Sequence, residues 1–240
     1  SHFPEDLNLK KKGINYGIFI QGFFHMNSTN NFEKLKLAYK NAKIILISSD
    51  YNIKCFKEMF PEFKNKILRI NFSIDIKKLR ISKKTNTITY MPRKLPDHSQ
   101  LVLFYLKNLL PKNWKIVPLE NVSENYLIKS LSRSKFFLSF SNLEGLGIPP
   151  IEAALCGNKI VGYTGGGGIE YWREPIFNKI ETGDISKFGK KLLYEIKNYK
   201  NNWIIKTKKN RLKLERQYSV EKEKKTLNLL INKISKFYKI

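Results

Sequence analysis

Two carboxylates, Glu144 and Glu152, frame a short turn in the stretch S-N-L-E-G-L-G-I-P-P-I-E-A-A-L-C-G, which runs from Ser141 to Gly157. Gly145 and Gly147 allow the chain to bend with little side-chain bulk. Pro149 and Pro150 fall where a helix would begin, a place that tolerates proline because first-turn amides lack intrahelical partners. Gly157 is a helix stop. A strand end, a loop and a helix start in this order can aim free backbone N–H groups at an anion. A second candidate pair, Arg93 and Lys94, follows the alternating run Thr87–Met91. That places two cations at the carboxyl edge of a predicted sheet, where ligands of open α/β sheets bind.

These residues need elements to hold them. Lys135-Phe-Phe-Leu-Ser-Phe140 is an apolar run that predicts a buried strand over 136–140, followed by the motif helix over 149–155. Further predicted strands are 14–24, 42–48, 67–72, 114–118 and 159–163. Predicted helices are 32–41, a segment capped at Ser49-Asp50 and ended by Pro61, 100–110, 123–132 with Ser123 as cap, 185–199 and 203–217. Ser219 caps a last helix, with Val220, Leu227, Leu230, Ile234 and Phe237 as its candidate buried positions. Strands alternating with helices imply an α/β fold with a Rossmann-like, doubly wound parallel sheet. The charged, irregular stretch between 73 and 86 reads as a linker. The block after it is a complete Rossmann-like unit, and the block before it holds only two or three βα units, a partial second α/β domain.

At 240 residues the chain accommodates one large domain or two small ones. Its net charge of +25 invites a nucleic-acid or membrane reading. The cations are mostly lysine, whereas arginine is the better phosphate fork, and no aromatic RNA motif or Cys/His finger is present. A solvated basic surface is therefore expected, with no nucleic-acid partner and with room for peripheral contact with an anionic membrane face. Cys55 and Cys156 give neither a disulfide framework nor zinc spacing, so a reducing, cytoplasmic setting is expected. No apolar run approaches the length of a membrane span.

The run E-G-L-G-I-P-P-I-E-A-A-L-C-G resembles the E-x7-E motif of retaining, nucleotide-sugar-dependent glycosyltransferases of the GT-B fold, family 4 (group 1 type). The likeness takes in the glycines, the proline, the Glu-Ala pair and the closing glycine as well as the two acids. It implies that Glu144 touches the donor sugar's hydroxyls and that Glu152 holds the nucleotide's ribose. Gly145, Leu146 and Gly147 would offer amides to the phosphates or the sugar. Arg93 and Lys94 are similar to the family's Arg and Lys pair on the diphosphate. The family spaces its Lys further from the Arg, near where this chain has His98, which makes Arg93 the stronger candidate. Gln21 ends the first apolar strand near where the family often presents a histidine, and His25 is close by. Residues 117–121 end a strand where the base could sit.

The resemblance also implies an organisation. Residues 87–217 resemble the donor-binding C-terminal domain, 76–86 the linker, and 1–75 the final part of the acceptor-side N-terminal domain, whose start would be missing. Residues 218–240 resemble the helix that crosses back toward that domain. The implied activity is transfer of a sugar from a nucleotide-sugar donor to a glycan or lipid-linked acceptor, with retention; the alternative is a nucleotide-sugar-binding module without its own turnover. No cofactor is expected, and no metal either, since no Asp-x-Asp occurs. Gly165–Gly168 stays open between a close approach of backbones or acceptor and a plain flexible turn, and Glu170 has no role assigned.

Overall fold

The computed structural model describes residues 9–22 and 31–238. Candidate His25 lies outside the described residues. The first unit is a three-stranded sheet, β1 (Gly17–Ile20), β2 (Ile44–Ile47) and β3 (Ile67–Arg69), in that spatial order and parallel throughout. Helices α1 (Phe32–Asn41) and α2 (Asp50–Met59) connect its strands. Ser49 caps α2 as expected, its side chain accepting from the Asn52 amide. Ile20, Ile45 and Ile47 pack with Tyr39, Phe56, Phe60 and Phe63 into one core.

The second unit is a five-stranded parallel sheet in the order β5-β4-β6-β7-β8. Its strands are β4 (Thr85–Tyr90), β5 (Lys115–Pro118), β6 (Ser134–Glu144), β7 (Lys159–Gly166) and β8 (Phe177–Lys179). Helices α3 (Pro96–Leu106), α4 (Glu124–Arg133), α5 (Ile148–Leu155) and α6 (Ile185–Lys197) cover it. Successive side chains of a strand point to opposite faces, and here both faces are buried. Phe136 and Leu138 join one core with Val102, Leu106 and Phe188, whereas Phe137 joins the other with Ile151, Ala154 and Trp203. That is why the strand reads as a continuous apolar run.

Several boundaries differ from expectation. The strand expected over 136–140 runs on to Glu144, with a slip in register after Ser141 that pairs Glu144 with Gly166. Glu144 is thus held by the sheet, not by a free loop. By the same pairing, Gly165 and Gly166 end β7, and Gly167–Glu170 form a 3-10 turn. Strand β8 was not predicted: three residues of mixed polarity carry too little periodicity to be seen alone. The helix expected over 203–217 is interrupted at Thr207, between α7 (Trp203–Lys206) and α8 (Lys208–Gln217). There the Thr207 hydroxyl bonds back to the Trp203 carbonyl at 2.8 Å.

The last helix, α9 (Val220–Tyr238), corrects a prediction. Val220, Leu227, Ile234 and Phe237 are exposed and Leu230 is half-buried. The helix is anchored by polar residues instead: Thr226 Oγ1 accepts from the Asn71 amide at 3.2 Å, and Glu223 accepts from Ser73 Oγ at 2.6 Å. Periodicity marked an apolar stripe but could not tell which side faces the protein. Among the described residues, no helix is long and apolar enough to cross a membrane.

Candidate functional site

The motif loop sits where the two units meet. β6 delivers Glu144 to the carboxyl edge of its sheet, and Gly147, in the left-handed conformation at φ +79°, turns the chain into α5. A residue with a Cβ would be strained at that angle. The prolines at 149 and 150 remove two donors from the first turn of α5, so the amides of Gly145, Leu146, Gly147 and Ile148 are what remains to meet an anion. None of these four is paired in a turn, a cap or a side-chain bond among the described residues.

The two cations arrive from the neighbouring strand. β4 lies beside β6 in the sheet, and the turn Pro92–Lys94 leaves β4 at the same edge. Lys94 Nζ pairs with Glu144 Oε1 at 3.1 Å, and the Glu144 side chain is only 18% exposed. Arg93 is exposed beside it and makes no ion pair among the described residues. Arg93, Lys94, Glu144 and the loop amides therefore share one edge. Residues 117–121 reach it too, with the Leu119 amide bonded to the Tyr90 carbonyl at 2.8 Å.

Glu152 lies on α5, half-buried, with no ion pair among the described residues. Burial, and secondarily the nearby Glu124 charge, push its carboxyl pKa above the usual range. An acid whose pKa rises on folding binds more protons folded than unfolded, so it costs stability as pH climbs past its unfolded value. Glu152→Gln is therefore expected to raise the melting temperature at pH 7, with the gain shrinking as the pH falls toward the carboxyl's unfolded value. Under the ribose role that the motif's resemblance implies for Glu152, nucleoside-diphosphate affinity should fall about 10- to 100-fold, the value of one charge-assisted hydrogen bond. A thermal scan across pH and a binding titration check the two halves separately.

The first unit supplies a floor that sequence spacing did not reveal. A Cβ built on Gly145 would overlap the Gln21 carbonyl and lie 3.1 Å from Ser48 Oγ. Gln21 thus does reach the cleft, through its backbone. Asn52 Nδ2 donates to the carbonyls of Glu144 at 3.3 Å and Gly145 at 3.1 Å. Ser48 Oγ is buried with no hydrogen-bond partner. The glycine run is explained by close approach: a Cβ on Gly167 would overlap the Gly145 carbonyl, and one on Gly165 would lie 2.8 Å from Glu144 Cγ. Beyond the run, Tyr171 is buried and its hydroxyl donates to the Gly147 carbonyl at 2.6 Å. Burial holds that phenol far above its ordinary pKa, so it stays a donor.

Two open grooves of about 680 and 690 Å³ lie elsewhere, one beside Lys77, Arg80 and Lys129 and one beside Lys179 and Lys187. Neither contains the motif loop, and lysines and arginines supply at least half of each lining. Among the described residues, no group of three or more His, Cys, Asp or Glu could hold a metal ion.

No protein-family model matches the sequence, and no curated protein sequence matches it. Solved structures do. TarM, known from Staphylococcus aureus, superposes with a TM-score of 0.70 at 16% identity, covering 96% of this chain and 52% of that one. HepE from Anabaena, in complex with UDP and glucose, gives 0.71 at 13% identity, covering 92% of this chain and 73% of its own. Sucrose-phosphate synthase from Thermosynechococcus elongatus gives 0.68 at 11% identity, covering 95% and 70%. The chain spans about half the length of TarM. At these identities the likeness is one of fold, and the fold is GT-B.

Proposed function

We propose that this chain is a nucleotide-sugar-dependent glycosyltransferase, retaining, that passes a sugar to a glycan or lipid-linked acceptor. The observation that carries the reading is the meeting of Lys94, Arg93, Glu144 and four amides at one sheet edge, opposite the first unit. Neighbours of the same fold were solved with UDP, one with glucose and one with α-GlcNAc-glycerol. Retention rests on the likeness of the motif from Glu144 to Gly157.

In this reading residues 87–217 bind the donor, 76–86 link, and 1–75 belong to the acceptor side. Glu144 accepts hydrogen bonds from the sugar's hydroxyls, and Glu152 holds the ribose. As the bond from sugar to phosphate breaks, negative charge grows on the departing diphosphate. Arg93, Lys94 and the amides of Gly145–Ile148 face that charge and stabilise it more in the transition state than in the ground state. Their positive charge does the work that a divalent ion does in other transferases, so no metal is assigned. A basic surface favours residence at an anionic membrane face on the cytoplasmic side, where lipid-linked acceptors are found.

The test is calorimetry with UDP, GDP and dTDP and their sugars. One base is expected to bind best, and Arg93→Ala should weaken its diphosphate about 10- to 100-fold while leaving the bare nucleoside unaffected. Equal loss for nucleoside and diphosphate would reject the role of Arg93, and no binding by the unaltered protein would reject the reading.

A further inference from the structure

Glu170 ends the glycine turn and is absent from the donor site just described, yet its side chain is only 9% exposed. Its carboxylate collects donors from three separate segments. Oε2 accepts from the Asp50 amide at 2.9 Å, at the start of α2. Oε1 accepts from Arg69 Nη2 at 2.7 Å, at the end of β3, and from the Tyr218 hydroxyl at 3.3 Å, between α8 and α9. Arg69 is itself held from the other side by an ion pair with Asp50, and its Nε donates to Asn71 at 3.0 Å. Burial alone would lower the Arg69 pKa, but the bonds to Glu170 and Asp50 more than reverse it. Arg69 is 28% exposed and Glu170 9%, and a partly buried pair of this kind is costly to break from one side, because the more buried partner is left charged and unpaired.

The position of Glu170 matters for what lies next to it. Two of its partners, Asp50 and Arg69, belong to the first unit, while Glu170 belongs to the second. One residue on, Tyr171 holds the Gly147 carbonyl that begins α5. Three residues before Glu170, Gly167 lies against the Gly145 carbonyl. The carboxylate thus fixes the glycine turn to the first unit, and the turn in turn fixes the loop that follows Glu144.

We propose that Glu170, through Arg69 and the Asp50 amide, is the positioning residue that seats the donor-binding loop against the first unit. The proposal rests on the glycosyltransferase reading for its kinetic consequence, but not for its structural one. Loss of the latch should therefore change how the units sit and how fast transfer runs, with little change in nucleotide affinity.

The experiment uses the full chain with Cys55→Ser, spin-labelled at Lys57→Cys on α2 and Lys187→Cys on α6, both exposed positions. Glu170→Gln, Arg69→Met and the double variant are compared. A single narrow distance is expected without substitution, and a broadened one in each variant, the double resembling either single. UDP affinity should stay within about threefold while the rate of transfer falls about 10- to 100-fold, with Glu170→Asp recovering part of the rate. Unchanged distances in Glu170→Gln overturn the proposal, whatever happens to the melting temperature. Equal losses of affinity and rate overturn it as well, since they would mark a general loss of folding. If the unaltered protein binds no nucleotide, the glycosyltransferase reading fails alone, and the distances still decide the latch.

Discussion

Gly145→Ala is expected to lower the melting temperature by about 6–12 °C, from a loss of about 3 kcal/mol. Overpacking usually costs less when the neighbour is the flexible end of a side chain, which can swing away. Here the added methyl would overlap the backbone carbonyl of Gln21 and lie 2.7 Å from its carbonyl carbon. Neither strand end can yield easily. Gln21 follows β1, and Gly145 follows β6 with its own carbonyl bonded to Asn52 and packed on Gly167. The strain is relieved only by parting the two units, which would also strip Asn52 from the Glu144 and Gly145 carbonyls. A control separates this from the general effect of replacing glycine. Gly13 has φ +69° and nothing within 4 Å of its added Cβ, so Gly13→Ala should cost only about 1 kcal/mol of backbone strain, or about 2–4 °C. Scanning calorimetry of both variants checks the difference. If Gly145→Ala costs no more than Gly13→Ala, the close approach of the two units at this point is not real.

That contact also shows how far the sequence could be read. The elements of the second unit were legible because burial on both sheet faces leaves runs such as Lys-Phe-Phe-Leu-Ser-Phe, and because Ser123 announces a helix start by type alone, as Ser49 does in the first unit. The motif from Glu144 to Gly157 was legible as a turn into a helix for the same local reasons. Which residues surround it was not. Asn52 meets Gly145 from 93 residues away, and Arg69 meets Glu170 from 101. Nothing local distinguishes those side chains from the other polar residues nearby. Glu170 carried one faint signal, its place two residues after a run of four glycines. Lys94 is a different case. Its spacing from Arg93 departs from the pattern it resembles, and spacing did not reveal that the turn after β4 brings its ammonium, rather than the Arg93 guanidinium, onto Glu144.

That ion pair sets the second large effect. Glu144→Gln is expected to reduce transfer about 10²- to 10³-fold, the range for removing one aligned electrostatic group from a reacting centre. Affinity for the bare diphosphate should move the other way or not at all. The pair at 3.1 Å holds Lys94 partly neutralised, and an incoming diphosphate must share that cation with the carboxylate. Without the acid, Lys94 is released to the phosphates, and the field over the loop amides becomes more positive. Lys94→Met should show the complementary pattern, a weaker diphosphate and a slower rate together, because it removes a cation that faces the leaving group. Both variants are measured with the donor chosen by the binding screen, recording affinity by calorimetry and transfer by release of the diphosphate. If Glu144→Gln weakens the diphosphate as strongly as Lys94→Met does, the acid is holding the cation in place, and its assigned hold on the sugar's hydroxyls is wrong. If it retains full transfer, Glu144 has no part in the chemistry and is only the end of a strand.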